Sequence, residues 1–242
     1  MKIILSIILI AICNLVTSAE TFVVCVGISN YADPKIPNLS KPEQDAKVMA
    51  EFYKKGTDNI ITITGKYATG AQIIRSLRDQ FSRATAGDKI VFYFSGHGYR
   101  GGLCPYDMRH DGIGIPYVEI INAMTDSKAT DKFIFADACN SGAFRQDNVV
   151  QQLQPGNIFM FLSSRDNESS MESPFLANGY FTKYLLRGLR GGADKNGDRK
   201  ITASELFKYV SSGVREQTDN RQHPVMWGKF QDNFIIVQYS KK

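Results

Sequence analysis

Short runs of Val, Ile and Phe alternate with amphipathic stretches along almost the whole chain, and this alternation limits the fold more than any single motif. The runs are Thr21–Ile28, Asn59–Thr64, Lys89–Phe94, Lys132–Ala136, Asn157–Leu162 and Asn233–Gln238. They show no sustained polar/apolar alternation, as expected of strands covered on both faces. Between them, helical spacing marks Lys41–Lys55, with Pro42 at its start and Ala46, Val48, Met49, Phe52 and Tyr53 along it. Thr69–Ala84 follows, with Ile73, Ile74, Leu77 and Phe81, and then Tyr117–Met124, Phe181–Leu189 and Thr202–Arg215. Strand-then-helix order predicts an α/β fold, a three-layer sandwich with a mostly parallel central sheet of about six strands. No repeat, low-complexity tract or linker interrupts the pattern, so one domain over residues 20–242 is the simplest account.

The N-terminus falls outside this pattern. Met1–Lys2 is followed by an almost wholly apolar run, Ile3–Val16, and then by the small residues Thr17-Ser18-Ala19. That is the layout of a secretory signal peptide over residues 1–19, cut after Ala19; the second reading is a retained anchor, for which the run is short. A secreted or periplasmic protein follows, with no membrane contact after cleavage. Ile12 is too bulky for lipid attachment at Cys13. The net charge of +5 comes from scattered lysines and arginines, which argues against a nucleic-acid partner. Beyond the signal segment Cys25, Cys104 and Cys139 remain, and three cysteines do not make a disulfide framework. Cys25 lies in an apolar strand and reads as core. Cys104 lies in a Gly/Pro-rich loop and carries no signal.

Open parallel sheets bind ligands beyond the carboxyl ends of their strands. Two strands here end in reactive residues. Ile90–Phe94 runs into Ser95-Gly96-His97-Gly98, and Phe133–Ala136 runs into Asp137-Ala138-Cys139. Cys139 is either a small core hydrophobe or a nucleophile held at the rim of the sheet. An imidazole beside it would activate the thiol, either by pairing with the thiolate or by taking its proton. Asn140-Ser141-Gly142 could begin a helix whose N-terminus also favours a thiolate. His110 and His223 sit in no such context and read as surface or packing residues.

FYFSGHG followed by FADACNSG resembles the caspase-like cysteine peptidases, and the metacaspase side of that family more than the animal caspases, in a secreted bacterial type. The likeness runs from GISNYAD to the final strand. It implies that His97 is the general base and acid, that Cys139 is the nucleophile, and that the backbone N–H groups of Gly98 and Cys139 form the oxyanion hole. Asp137 stands where metacaspases place the aspartate that selects basic P1 residues. EQDAKVM resembles another pocket segment and adds Asp45, and Ser95 matches a polar pocket residue. For Asp45 alone, a surface carboxylate on a helix is an equal reading. The implied function is a cysteine endopeptidase cleaving peptides or proteins after Arg or Lys, with Arg145 and Arg165 as self-cleavage points.

ADKNGDRKITASEL carries a separate signal. Asp194, Asn196 and Asp198 fall at positions 1, 3 and 5 of a twelve-residue calcium loop, with Lys200 at 7 through its carbonyl, Thr202 at 9 and Glu205 at 12. Arg199 stands where that loop wants glycine. The competing reading is a polar turn with Thr202 capping the next helix. The dyad itself requires no cofactor, so calcium is the sole candidate. The calcium requirement of some metacaspases uses another acidic cluster, which the loop after His97 lacks. Two further functions stand beside the peptidase: a catalytically silent caspase-like module that binds peptides, and a thiol hydrolase acting on small amides.

Overall fold

A computed structural model describes residues 19–139, 158–165, 178–228 and 233–239. Residues 1–18 of the expected signal segment, Asn140-Ser141-Gly142 and Arg145 lie outside them. Among the described residues no helix is long and apolar enough to cross a membrane.

The chain runs β1 (Thr21–Gly27), α1 (Pro42–Tyr53), β2 (Ile60–Thr64), α2 (Gly70–Ser82) and β3 (Lys89–Ser95). Three two-residue strands follow, β4 (Gly98–Tyr99), β5 (Gly102–Leu103) and β6 (Ile115–Pro116). Next come α3 (Tyr117–Thr125), β7 (Asp131–Asp137), β8 (Ile158–Leu162) and α4 (Tyr180–Arg187). The last elements are β9 (Lys200–Thr202), α5 (Ala203–Gln217), β10 (Val225–Trp227) and β11 (Ile235–Gln238).

The central sheet has six strands in the order β10-β8-β7-β3-β1-β2. All neighbours are parallel except β10, which pairs antiparallel with β8. β10 is only three residues long, too short to leave a pattern in the sequence. The run expected over Asn233–Gln238 does form a strand, β11, but it pairs with β9 away from the central sheet.

Successive side chains leave a strand on opposite faces, and here both faces are buried. Phe22, Val24, Val26, Phe92, Phe94, Ile134 and Met160 pack against α2 and α3. Val23, Cys25, Tyr93, Phe133, Phe135, Phe159 and Phe161 pack against α1, α4 and α5. The second core is dense in phenylalanine, with Phe161 edge-on to Phe181 at 5.2 Å and Phe133 stacked on Phe234 at 5.7 Å between centroids. The three layers are thus helices, sheet, helices.

Candidate active site

The β3–β7 ladder ends with Ser95 paired to Asp137. His97 and Cys139 each lie two residues further along, so the register that builds the sheet also brings the two motifs level. Gly96 N–H donates to the Asp137 carbonyl at 3.1 Å and extends the pairing by one step. Beyond it, Gly98 lies directly on the Cys139 backbone: a Cβ on Gly98 would stand 2.4 Å from the Cys139 carbonyl oxygen. Only glycine permits that approach.

His97 is held at three points. Its Nε2 lies 2.8 Å from the Pro37 carbonyl oxygen. A carbonyl only accepts, so Nε2 is the donor, and in the neutral ring the lone pair is on Nδ1. The His97 backbone N–H donates to the Tyr31 hydroxyl at 2.7 Å, and the His97 carbonyl accepts from Cys104 N–H at 3.0 Å. Cys139 is half-buried, whereas Cys25 and Cys104 are buried. Burial raises the Cys25 thiol far above its usual range. Burial, and then the neighbouring Cys139, push Cys104 up to about 12. Both are therefore inert thiols, as a core reading of Cys25 requires.

The residue before Cys139 is tied down from β8. Ala138 N–H donates to Ser163 Oγ at 3.0 Å, and the Ala138 carbonyl accepts from the Ser163 and Ser164 hydroxyls, both at 3.1 Å.

Ser95 and Asp137 point to the phenylalanine-rich face, as do Tyr93 and Phe135 one turn of the pleat earlier. There they meet α1 and α4. Ser95 Oγ donates to Asp45 Oδ2 at 3.1 Å. Asn178 Nδ2 donates to Asp45 Oδ1 at 2.7 Å, and the Gly179 N–H reaches the same carboxyl at 3.3 Å. Thr182 gives its backbone N–H and its hydroxyl to Asp137 Oδ2, at 3.2 and 2.8 Å. With its proton so committed, the Thr182 hydroxyl accepts from the Tyr93 phenol at 2.6 Å. A Cβ on Gly179 would stand 2.9 Å from Asp137 Oδ2 and 3.3 Å from Asp45 Oδ2, so both carboxyls converge on one point. Asp45 is 1% exposed, which excludes the surface-carboxylate reading. Burial first, and the Asp137 charge second, push it up to about 8, against the pull of its Asn178, Ser95 and Gly179 donors.

A cavity of about 20 Å³ is lined by Asp45, Ser95, Asp137, Cys139 and Gly179, with Leu39, Pro42 and Gly96 around them. It touches Cys139, though it is far from the largest. A groove of about 500 Å³ runs between α2 and β6, and one of about 650 Å³ between α4 and α5, and neither is lined by a thiol or an imidazole. Chemistry and not size picks out the small cavity.

Of the residues singled out in the sequence, the structure brings Asp45, Ser95, Asp137 and Cys139 to one cavity, sets Gly98 against the Cys139 backbone, and leaves His97 between Gly96 and Gly98 on the neighbouring strand end. The sequence reading missed Tyr31, Pro37, Tyr93, Asn178 and Thr182. Thr182 left one trace, a hydroxyl on the apolar face of α4 beside Phe181 and Leu185.

The acidic loop is elsewhere. Asp194 accepts from Gly197 and Arg199 N–H, Asn196 from Asp198 N–H, and Asp198 from Lys200 N–H, all at 2.8–2.9 Å. Arg199 takes φ 67°, the left-handed turn for which glycine was expected. Glu205 and Thr202 form a reciprocal cap at the start of α5. Among the described residues, no three His, Cys, Asp or Glu side chains gather as metal ligands would. His110 is at the surface, 2.8 Å from Asp33, whose carboxyl is held low by the backbone N–H groups of His110 and Lys35.

The family model for the caspase domain (Peptidase_C14) matches residues 21–235. The fold is similar to the crystal structure of protein GSU0716 from Geobacter sulfurreducens. The TM-score is 0.66 at 20% sequence identity, covering 90% of this chain and 97% of that one. At that identity the likeness speaks to the fold alone. No curated protein sequence matches the chain.

Proposed function

The chain belongs to the caspase-domain peptidase family, and from that premise we propose that it is a cysteine endopeptidase that uses Cys139 and His97 to cleave after Arg or Lys. The observation that carries the reading is the cavity shared by Cys139, Asp45 and Asp137. A nucleophile and a pair of carboxyls in one cleft suit a substrate whose scissile carbonyl follows a cationic side chain.

In this reaction Cys139 Sγ gives its proton to His97 Nδ1 and attacks the scissile carbonyl. The oxyanion meets the N–H groups of Gly98 and Cys139. As the C–N bond breaks, His97 returns the proton to the leaving amine and a thioester remains. Water then gives a proton to Nδ1, adds to the thioester and releases the acid, and the proton goes back to sulfur. The Pro37 carbonyl supports this role, because it keeps the ring proton on Nε2 throughout. The reaction routes nothing through calcium.

The cavity has room for about one water molecule. A P1 guanidinium or ammonium therefore has to take over Asp45 Oδ1 from the Asn178 carboxamide. Arg binds a carboxylate through a planar fork and Lys as a point charge, so Arg is the better P1 residue. Arg165, exposed just after β8, is the described candidate for self-cleavage. The mature enzyme is proposed to begin after Ala19 and to act in a secreted or periplasmic setting, on peptides or proteins and not on nucleic acid or membranes.

A peptidyl chloromethyl ketone with P1 Arg tests the reading by mass spectrometry. The expected result is one adduct, on Cys139, which disappears in His97→Ala and forms much more slowly with P1 Asp. An adduct on Cys104, or labelling indifferent to His97, would overturn the assignment. A module that only binds peptides would form none.

A further inference from the structure

His97 stands where the sheet no longer holds the chain. The β3–β7 ladder stops at Ser95, and the histidine is flanked by Gly96 and Gly98, which have no side chains to anchor it. A general base needs a fixed ring, and the fixing comes from the segment between β1 and α1. The Pro37 carbonyl of that segment accepts a hydrogen bond from His97 Nε2. Tyr31, from the same segment, does two separate things. Its hydroxyl accepts the His97 backbone N–H at 2.7 Å. Its ring lies against the imidazole, with centroids 5.1 Å apart and planes tilted by 38°.

The segment itself is well tied. Ile28 N–H donates to the Ser95 carbonyl, Leu39 N–H to Ser29, and Ala32 N–H to Tyr106, at 3.0, 2.8 and 2.9 Å. Asp33 receives the His110 side chain and the backbone N–H groups of His110 and Lys35. Tyr31 is 7% exposed and belongs to the core under α2 and α3. It therefore links a rigid core to the backbone of a residue between two glycines. A phenylalanine in its place would keep the ring but leave the His97 N–H facing a group that accepts nothing.

We propose that Tyr31 is a positioning residue of the peptidase reaction, acting through His97: its hydroxyl sets the height of the His97 backbone and its ring sets the plane of the imidazole against Cys139. The proposal rests on His97 being the base for Cys139. Small displacements of a catalytic group cost about 10²-fold in rate, and the loss should fall on turnover and not on substrate binding.

The test pairs Tyr31→Phe with Tyr31→Leu and uses two readouts. The first is kcat and KM on a P1-Arg peptide. The second needs no peptide substrate: the pH dependence of iodoacetamide alkylation at Cys139, resolved by mass spectrometry from Cys25 and Cys104. Tyr31→Phe is expected to lower kcat about 10- to 100-fold with KM little changed, and to move the alkylation midpoint in the direction that His97→Ala moves it. Tyr31→Leu should lower kcat further. If Tyr31→Phe does not fold, 3,5-difluorotyrosine at position 31 weakens the acceptor at nearly constant volume, and the same shift is expected. Wild-type kcat and an unmoved alkylation midpoint in Tyr31→Phe, with His97→Ala still shifting that midpoint, would overturn Tyr31 alone. A midpoint indifferent to His97→Ala would overturn the dyad and Tyr31 together.

Discussion

Asp45 is a residue whose chemistry the fold changes. Asp137 and Cys139 approach it from β7 and beyond, Ser95 and Tyr93 from β3, Asn178 and Gly179 from the turn before α4, and Thr182 from α4 itself. Burial, and then the Asp137 charge, raise the Asp45 carboxyl to about 8, which favours its protonated form. In the proposed reaction a cationic P1 group would favour the ionised form and drive that proton off. We therefore expect kcat/KM for P1-Arg peptides to climb as pH rises through about 8, with the climb lost in Asp45→Asn. The stability effect has the opposite sign. A carboxyl whose folded pKa lies above its unfolded value of about 4 stabilises the fold at low pH, and that contribution is lost as pH rises towards the folded value. Asp45→Asn should thus gain in Tm relative to wild type between acid pH and pH 9. A pH-independent difference in Tm, or a P1-Arg profile unchanged by Asp45→Asn, would show that Asp45 does not hold the proton.

Within the elements, most of what positions the site was legible in the sequence. β3 and β7 are long β-branched and aromatic runs that stop at Gly and Cys motifs, and their ends fall within a residue of expectation. Pro42 starts α1, which sets Asp45 inside the first turns of the helix. What was not legible depends on residues far apart in the chain. Asn178 meets Asp45 across 133 positions, and no local pattern announces such a contact. Tyr31 meets His97 across 66 positions, which no local pattern marks either. β10 was lost for a different reason, since three residues carry no period. Lys132 belongs with these: it sits in an apolar strand, yet its ammonium is buried. Its Nζ donates to the carbonyls of Ser127, Met124 and Thr125 at 2.7, 2.8 and 3.3 Å, closing the end of α3. Lys132→Met keeps the apolar stem and removes the donors. It should cost about 1–3 kcal/mol in urea unfolding at neutral pH, the penalty for carbonyls left buried and unpaired. A variant with the wild-type midpoint would mean that water reaches those carbonyls.

At the level of the whole molecule, one sheet divides two tasks between its faces. The face under α2 and α3 carries Lys132 at its start and is apolar from there to the carboxyl ends of the strands, and it packs Tyr31. The phenylalanine-rich face ends in the polar Ser95 and Asp137, where α1 and α4 bring Asp45 and Thr182. Parallel register brings the ends of β3 and β7 level, so that His97 and Cys139 each follow two residues beyond the last pair. The proposed function comes down to a single outcome, attack at Cys139 on bonds that follow a cation. The most direct measurement is turnover of fluorogenic peptides that differ only at P1, with purified Cys139→Ala as the control. The account predicts cleavage after Arg, then Lys, negligible cleavage after Asp, and none by Cys139→Ala. Faster turnover of the P1-Asp peptide, or near-wild-type turnover by Cys139→Ala, would contradict it.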